Sequence, residues 1–275
     1  MLDPYSSRSA PAFWLGMRIE GKVVLITGAS DGIGAACARE FRTRGARLSL
    51  TARSEEKLQQ VGGSDATVTA GDLTDPEVRR RVVERTIERF GAIDILINNA
   101  GVGMYAPAWK APLDEAHRMF ELNFFAPLAM IQLVAPHMQA RRAGMIVNIG
   151  SIAGKVPLPW FTLYSATKFA LGALTEGLRM ELAAGGIRTM IVCPGYVRTG
   201  FQSHALVGQP PDRLLKGKKF AITAEQCAAA VARGVERNAR TVVTPAIGWA
   251  LIVAQRLFPS VVEAQMRKIY QSDAE

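Results

Sequence analysis

Short apolar runs rich in β-branched residues recur along the chain and alternate with longer stretches of helical periodicity. Each run is followed by polar or turn residues, a pattern typical of strands that are buried on both faces of a sheet. We therefore predict about seven strands, at residues 22–27, 47–52, 66–70, 94–97, 145–149, 188–192 and 241–244.

Apolar positions spaced three and four residues apart predict helices between these runs. The helix after the third run begins near Asp75 and Pro76, with proline at the first helical position. The longest helical stretch, 113–142, contains Pro127 and Pro136, which predict a kink or a break. The alternation of strands and helices predicts an α/β fold, a doubly wound parallel sheet with helices on both faces. The other helices are predicted at 35–44, 163–183 and 223–238.

The regular pattern fails in three places, and these set the domain organisation. Residues 1–20 are predicted to be an N-terminal extension ahead of a single domain at 21–245. Residues 196–222 form a long irregular segment after a strand end, which is typical of a substrate lid. Residues 246–275 form an apolar and basic tail that we expect to be helical. Three roles stay open for the tail: it lines the pocket, forms a subunit interface or lies on a membrane surface.

The composition is that of a globular chain, with 275 residues, 49% of them hydrophobic and 21% charged. The formal net charge of +9 raises the question of a nucleic-acid or membrane partner. The basic residues are scattered, however, and no aromatic residues interleave with the densest clusters, as a groove for single-stranded nucleic acid requires. We expect solvated helix faces and attraction for an anionic cofactor, and no nucleic-acid partner.

The cysteines and histidines indicate neither a disulfide framework nor a metal site. Cys37, Cys193 and Cys227 are odd in number and widely spaced, which is typical of buried thiols in a reducing compartment. The histidines show no ligand spacing, so no metal is expected. The N-terminus lacks a signal-peptide pattern, and no stretch reaches the roughly 18–20 apolar residues of a membrane span. These features predict a cytoplasmic protein.

The first predicted strand leads directly into a glycine-rich turn and the start of a helix. Such a unit cradles a pyrophosphate, because glycines allow close backbone approach and the helix N-terminus offers free N–H groups to anionic oxygens. The spacing here is G-x-x-x-G-x-G. The candidate cofactor contacts in this turn are Gly28, Ser30, Asp31, Gly32, Ile33 and Gly34.

Arg53 stands just after the second predicted strand, where a dinucleotide-binding fold selects its cofactor. An acidic residue at this place holds the ribose 2′-hydroxyl, whereas an arginine accommodates a 2′-phosphate. The forked guanidinium suits phosphate in geometry as well as in charge. The sequence therefore favours NADP(H) over NAD(H) as the cofactor.

Ser151 follows the fifth predicted strand, and Tyr164 and Lys168 lie four residues apart in the helix after it. Residues at this spacing share one helix face. A phenol normally titrates near pH 10, and a neighbouring ammonium lowers its pKa toward neutrality. With Ser151 as a hydroxyl donor to a carbonyl oxygen, the three residues form a candidate acid–base site for making or breaking an alcohol.

Taken together, these motifs resemble the short-chain dehydrogenase/reductase family over roughly residues 21–244. The matching motifs are T-G-x-x-x-G-x-G at 27–34, N-N-A-G at 98–101, an asparagine at 123, the serine at 151, Y-x-x-x-K at 164–168 and P-G with a following threonine at 194–199. The resemblance implies a Rossmann fold and a nicotinamide-dependent oxidoreductase for an alcohol/carbonyl pair. Within the family, the chain also resembles the hydroxysteroid dehydrogenases and other lipid-directed reductases, but this resemblance is less close.

The resemblance also implies the role of each site residue. Tyr164 exchanges a proton with the substrate oxygen, Lys168 lowers its pKa and binds the nicotinamide ribose, and Ser151 polarises the carbonyl. Asn123 holds a water in the proton relay. Asp31 occupies a place where many NADP enzymes carry a basic residue. Further cofactor contacts are implied at Asp72, Leu73, Asn99, Ala100, Gly101, Pro194, Gly195, Val197 and Thr199.

Residues next to these motifs predict an apolar substrate pocket. Besides Ser151, the candidate substrate contacts are Met104, Tyr105, Trp160 and Phe161. The leading hypothesis is an NADP(H)-dependent oxidoreductase for a small hydrophobic carbonyl or alcohol. A 3-oxoacyl thioester reductase and an NADP(H)-sensing regulator stay open as alternatives. The resemblance further implies a homodimer or homotetramer, with peripheral membrane contact of the tail as an added option.

Overall fold

The computed structural model describes residues 16–208 and 220–271, and within them seven strands form one parallel sheet. The sheet order is third, second, first, fourth, fifth, sixth and last strand, so the order reverses beside the first strand. This is the doubly wound arrangement predicted from the sequence. Its strands are β1 (Val23–Thr27), β2 (Arg47–Ala52), β3 (Thr67–Ala70), β4 (Ile95–Asn98), β5 (Gly144–Ile149), β6 (Ile187–Pro194) and β9 (Thr241–Thr244).

Helices connect these strands and cover both faces of the sheet. They are α1 (Gly32–Thr43), α2 (Glu55–Gly62), α3 (Pro76–Phe90), α4 (Leu113–Phe120), α5 (Ala126–Ala140), α6 (Thr162–Glu181), α7 (Ala224–Glu236), α8 (Gly248–Leu257) and α9 (Pro259–Gln271). Two short strands, β7 (Val197–Arg198) and β8 (Ile222–Thr223), pair in parallel outside the main sheet.

Alternate residues of each strand fill two separate cores, as expected for a sheet buried on both faces. Val24 and Ile26 face one core, which includes α1 and α7, whereas Leu25 faces the other, which includes α3 and α5. The side chains of Val24, Leu25 and Ile26 are completely buried. The fold class predicted from the apolar runs is therefore confirmed as a single Rossmann-like α/β domain.

The start of α3 shows how local chemistry fixes an element boundary. Asp75 is the N-cap, and its carboxylate accepts a hydrogen bond from the backbone N–H of Glu77 at 2.8 Å. Pro76 follows at the first helical position, where no intrahelical donor is needed. Thr223 similarly begins α7 with a reciprocal capping box to Gln226.

Of the two outcomes predicted for the prolines in the longest helix, a kink or a break, the break is wrong. The α4 and α5 helices run on from one another through one π-helical turn, Glu121–Phe125. Pro127 lies in the first turn of α5, and Pro136 is accommodated inside the helix. A proline lacks an N–H and displaces a carbonyl of the preceding turn, so a wider turn before Pro127 accommodates it without ending the helix.

The combined helix Leu113–Ala140 is long and apolar enough to meet the length and hydropathy test for a membrane span, contrary to the sequence-based expectation. Its apolar residues instead contribute to the core beneath the sheet. Met130, Val134 and Met138 are almost fully buried against strand residues. In this structure the helix is therefore a core element.

Two other boundary predictions also need correction. The part of the N-terminal extension that the structure describes, residues 16–20, packs on the domain: Ile19 is buried, and the Met17 N–H donates to the Val235 carbonyl at 3.4 Å. An apolar side chain next to the sheet gains free energy by joining the core. The predicted lid is partly regular, with β7, β8 and a 3₁₀ helix at Gly200–His204, and residues 209–219 of it lie outside the described residues.

Candidate active site

A cavity of about 430 Å³ opens at the carboxyl ends of β1, β2, β4, β5 and β6. This is the edge where doubly wound sheets bind their ligands, beside the point at which the strand order reverses. The lining residues come from strand ends that are far apart in sequence and adjacent in the sheet. The structure brings to the cavity the predicted residues Gly28, Ser30, Asp31, Gly32, Ile33, Arg53, Asp72, Leu73, Asn99, Ala100, Gly101, Tyr105, Ser151, Phe161, Tyr164, Lys168, Pro194, Gly195, Val197 and Thr199.

The glycine turn is packed so closely that no side chain fits at Gly28 or Gly34. Gly28 has a φ of +63°, and a Cβ there would lie 2.8 Å from the Cα of Ala100. A Cβ at Gly34 would lie 2.2 Å from the Gly28 carbonyl oxygen, so Gly34 packs beneath the turn and does not line the cavity. The Asn99 amide donates to that same carbonyl at 3.0 Å and ties the turn to the end of β4.

The helix N-terminus after this turn faces the cavity. Asp31 is the N-cap of α1 and accepts a hydrogen bond from the Gly32 N–H at 2.6 Å. Ser30, Gly32 and Ile33 also line the cavity. A narrow turn of glycines leading into a helix start is a suitable cradle for a pyrophosphate, so the residues present fit a dinucleotide.

Two residues beside Arg53 were missed by the sequence analysis. Ser54, the N-cap of α2, and Lys57, in the first turn of that helix, line the same end of the cavity as Arg53. Lys57 is four residues beyond Arg53, and this spacing at a predicted helix start could have indicated it. The end of β2 therefore presents two cationic side chains to the cavity, with Asp72 and Leu73 at the same end.

Asn123 is completely buried within the π-helical turn and does not line the cavity. Its amide group donates to the Val102 carbonyl at 2.9 Å and to the Thr167 hydroxyl at 3.2 Å. Its side-chain oxygen accepts from the Val102 N–H at 2.9 Å. Both N–H groups of the Asn123 amide are therefore engaged. They join the π turn to Val102, the residue after the N-N-A-G segment, and to Thr167 on α6.

Ser151 and Tyr164 meet at the centre of the cavity. Burial raises the pKa of the Tyr164 phenol well above its usual value, and a hydrogen bond with Ser151 opposes part of that increase. The Ser151 hydroxyl oxygen also accepts from the Ala153 N–H at 3.1 Å, which fixes the orientation of the serine. At neutral pH the phenol is protonated and can act as a proton donor.

Lys168 lies one helical turn beyond Tyr164, and its Nζ is 5.6 Å from the centre of the tyrosine ring. The Nζ donates to the Ile149 carbonyl at 3.0 Å, at the end of β5. Burial lowers the pKa of Lys168 to about 8, because desolvation disfavours the charged ammonium. The helix spacing and the strand end together hold a cation beside the phenol.

An aromatic stack forms the other side of the cavity. The ring of Phe161 stacks on Tyr164 at 4.1 Å and on Tyr105 at 4.5 Å, and Phe201 meets Tyr164 edge to face at 5.7 Å. Of the other predicted substrate contacts, Met104 is buried behind the stack and Trp160 is half-buried; neither lines the cavity. Sequence position alone could not separate these neighbours.

The described part of the lid is fastened to this wall by backbone hydrogen bonds. The Leu206 N–H donates to the Gly103 carbonyl at 2.9 Å, and the Tyr105 N–H donates to the Val207 carbonyl at 2.9 Å. The lid segment therefore lies beside the aromatic stack. Further lining residues that the sequence analysis did not select are Ala52, Gly71, Val102, Leu122, Ile149 and Gly150. The predicted lid contributes Tyr196, Phe201, Gln202 and His204.

Within residues 16–208 and 220–271, no group of three or more His, Cys, Asp or Glu side chains is arranged to hold a metal ion. The three cysteines are free and buried. The Ser151 hydroxyl, the Tyr164 phenol and the Lys168 ammonium lie together among the groups that line the cavity. These groups can exchange a proton with an oxygen atom and polarise a carbonyl.

Comparison with known proteins agrees with this geometry. A family model for short chain dehydrogenases matches residues 22–207. A dehydrogenase/reductase SDR family protein 7-like from Anopheles gambiae is 34% identical over 267 residues, which is 91% of this chain and 83% of that protein. The chain belongs to the short-chain dehydrogenase/reductase family, and it is an oxidoreductase acting on CH–OH groups.

Solved structures of the family carry either nicotinamide cofactor. A Burkholderia phymatum member in complex with NAD has a TM-score of 0.80 and 26% identity, over 90% of this chain and 96% of that chain. A Burkholderia cenocepacia member in complex with NADP has a TM-score of 0.78 and 30% identity, over 91% and 99%. A nicotinamide cofactor is thus supported for this chain.

The burial of Lys168 makes the stability of the protein depend on pH. Its pKa of about 8 in the folded state lies below the usual 10.5, so the cost of burying the ammonium is present below pH 8 and disappears as the pH rises toward 10.5. Lys168→Met should stabilise the cofactor-free protein by about 1–3 kcal/mol at pH 7, with a smaller gain at pH 10. Urea unfolding at the two pH values measures this difference.

The control for this prediction is Lys110→Met, which removes an exposed ammonium. Its effect on the free energy of unfolding should stay within about 0.5 kcal/mol at both pH values. An equal gain from Lys168→Met at pH 7 and pH 10 would show that the buried charge is not responsible.

Proposed function

We propose that this protein transfers a hydride between NADP(H) and the carbonyl or secondary alcohol of a small hydrophobic substrate. The observation that carries the proposal is that Ser151, Tyr164 and Lys168 line one cavity, at the point where the Phe161 ring stacks on Tyr164 at 4.1 Å. A carbonyl oxygen placed there is within reach of a phenol and a hydroxyl, while its apolar substituents contact aromatic rings.

In this proposal each residue has a separate task. Ser151 donates to the substrate oxygen and polarises the carbonyl, and Tyr164 donates its proton to that oxygen as the alcohol forms. Lys168 stabilises the resulting phenolate by its charge. The nicotinamide cofactor supplies the hydride when it is bound. Asn123 contributes to the proton relay through its main chain, because its side-chain amide is already engaged with Val102 and Thr167.

The protonation state of Tyr164 suits the reduction step. Burial raises the pKa of this phenol, so the residue is in the acid form that a proton donor needs at neutral pH. The opposite reaction requires a phenolate and should therefore become faster at alkaline pH.

The preference for NADP(H) rests on the charges at the end of β2. Arg53 and Lys57 both line the cavity there, and two cations can neutralise a 2′-phosphate. Asp31, in the glycine turn, also lines the cavity and adds a negative charge. We infer that the pair of cations outweighs the single carboxylate.

The aromatic stack supports a hydrophobic substrate. Tyr105, Phe161 and Phe201 offer flat apolar surfaces next to the reacting groups. This fits the looser resemblance to hydroxysteroid dehydrogenases. A 3-oxoacyl thioester reductase would use the basic residues 216–219 to bind the acidic surface of a carrier protein, and these residues lie outside the described residues. The regulator alternative does not require the complete set of catalytic groups.

We also propose a cytoplasmic homodimer or homotetramer, assembled through the long helices. Leu113, Phe125 and Phe169 expose large apolar side chains on α4, the π turn and α6. Burying these side chains against a second copy would remove their apolar surface from water.

The C-terminal tail has two faces with different surroundings. On α8, Ile252 is buried in one cluster with Val156 and Val243, and Leu251 packs against that cluster, so the inner face of the tail supports the segment between Ser151 and Tyr164. The outer face carries Trp249, Val253 and Leu257 at i, i+4 and i+8, with 45%, 49% and 65% of their surfaces exposed. We propose that this face contacts an anionic membrane surface, to which a chain of net charge +9 is attracted.

Tyr164→Phe tests the proposed proton donor. The variant should lose about 10²–10⁴-fold in kcat for any carbonyl substrate found by screening compounds graded by size and polarity, because it keeps the ring but not the proton. Its dissociation constant for NADPH should change less than about threefold. Tyr105→Phe, in the same aromatic stack, is the matched control and should keep most of its turnover. Full turnover of Tyr164→Phe would rule out the mechanism.

Arg53→Ala tests the cofactor preference. Loss of a charge-assisted hydrogen bond to the 2′-phosphate should weaken NADPH binding about tenfold or more and leave NADH binding nearly unchanged. Titration calorimetry with both cofactors measures the two changes, and Arg81→Ala, exposed on α3, is the control. Equal losses for NADPH and NADH would contradict a role for Arg53 toward the 2′-phosphate.

Replacing Trp249, Val253 and Leu257 by serine tests the tail. The wild-type chain should sediment with vesicles containing anionic lipid, less so at high salt, and the triple variant should stay in solution. Serine at Trp109 and Phe220, which are 81% and 58% exposed, is the control. If the triple variant changes the molar mass in solution but not vesicle binding, the outer face is a subunit interface instead.

A further inference from the structure

Arg79 is a buried cation that the proposed mechanism does not use. It lies in the first half of α3, and only 9% of its surface is exposed. Its Nη1 donates to the Leu73 carbonyl at 2.6 Å and to the Thr74 carbonyl at 3.2 Å. A guanidinium is rarely buried without partners, so these bonds hold the segment after β3 in place.

The segment that Arg79 holds lies at the cofactor end of the cavity. Asp72 and Leu73 line the cavity beside Arg53 and Lys57. Within the segment, Asp72 accepts hydrogen bonds from the N–H and hydroxyl of Thr74, both at 2.9 Å. The loop is therefore a compact unit whose outer surface meets the adenosine end of the proposed cofactor, and whose carbonyls meet Arg79.

The same guanidinium also reaches the helix that carries Asn123. Its Nη1 lies 3.6 Å from a carboxylate oxygen of Glu121, the first residue of the π turn. Leu122, next in the turn, lines the cavity, and Asn123 joins the turn to the Val102 backbone and to Thr167. One side chain thus contacts both the adenosine-side loop and the turn at the catalytic end.

We propose that Arg79 is a positioning residue that couples binding at the adenosine end of the cavity to the order of the π turn. This inference rests on the proposed function, because it takes the Asp72–Leu73 loop as the adenosine site. A ligand that binds the Asp72–Leu73 loop also restricts the Leu73 and Thr74 carbonyls. These carbonyls accept hydrogen bonds from the Arg79 guanidinium and so fix its position next to Glu121. Binding free energy from a part of the cofactor that does not react is then used to order the turn around Asn123.

The neighbouring arginine provides the contrast. Arg80 on the same helix makes bidentate contacts with Glu84 at 2.8 and 2.9 Å and pairs with Glu77, yet about half of its side chain is exposed. Such solvent-exposed pairs contribute little and contact neither the loop nor the turn. Arg80 is therefore the matched control for Arg79, with the same charge and the same helix.

The experiment uses the full chain and a ligand without a nicotinamide, 2′-phospho-ADP-ribose. Hydrogen–deuterium exchange reports the order of residues 121–125 with and without the ligand, and titration calorimetry reports its dissociation constant. In the wild type and in Arg80→Leu, the ligand should slow exchange in the π turn. In Glu121→Gln, the ligand should bind within about threefold of wild type but no longer slow that exchange, because the charge contact is lost.

Arg79→Leu should lose both effects, with about tenfold weaker ligand binding. If that variant does not fold, Arg79→Lys replaces it: lysine keeps the charge but is shorter than arginine, so its ammonium does not reach the Leu73 and Thr74 carbonyls together with Glu121, and the turn should again lose its protection. Slowed exchange in Glu121→Gln equal to wild type, or no slowing in the wild type despite binding, would overturn the coupling alone. Absence of any binding of the ligand and of NADPH to the wild type would overturn the proposed function as well.

Discussion

The hydrogen bond from the Lys168 ammonium to the Ile149 carbonyl is the contact on which the site depends most directly. It joins α6 to the end of β5 and so fixes the helix face that also carries Tyr164. The ammonium is held there at a cost, since burial lowers its pKa to about 8. A residue that only stabilised the fold would not need a charge in this position, whereas a residue that must stabilise a phenolate does.

Much of the fold could be predicted because its determinants are local. The strands are apolar runs, and Asp75 with the proline after it is a complete helix start. The π turn could not be predicted, because a proline such as Pro127 only requires that the preceding turn adapt, and the surrounding core decides how. Trp160 has a φ of +61°, a conformation that its side chain gives no reason to expect.

The candidate site was predictable to the extent that parallel strands place their carboxyl ends at one edge. The glycine turn, Arg53, Ser151 and Tyr164 all reach the same cavity for that reason. The sequence did not indicate which of two neighbouring residues lines the cavity and which is buried behind it. Gly34 and Met104 are adjacent in sequence to lining residues yet lie one layer below them, and this difference arises only from packing of the finished sheet.

One wall of the cavity includes a strip whose position is fixed by main-chain hydrogen bonds. The strip from Gly103 to Ala106 is held on one side by the lid, through the Leu206 and Val207 backbone, and on the other by the Trp160 carbonyl, which accepts from the Ala106 N–H at 2.8 Å. Because these bonds are made by main-chain atoms, they do not depend on which side chains stand along the strip. The side chains along the strip, Tyr105 among them, can therefore be exchanged for others while the main-chain frame persists, so that this wall of the cavity can change shape without any change at Ser151, Tyr164 or Lys168.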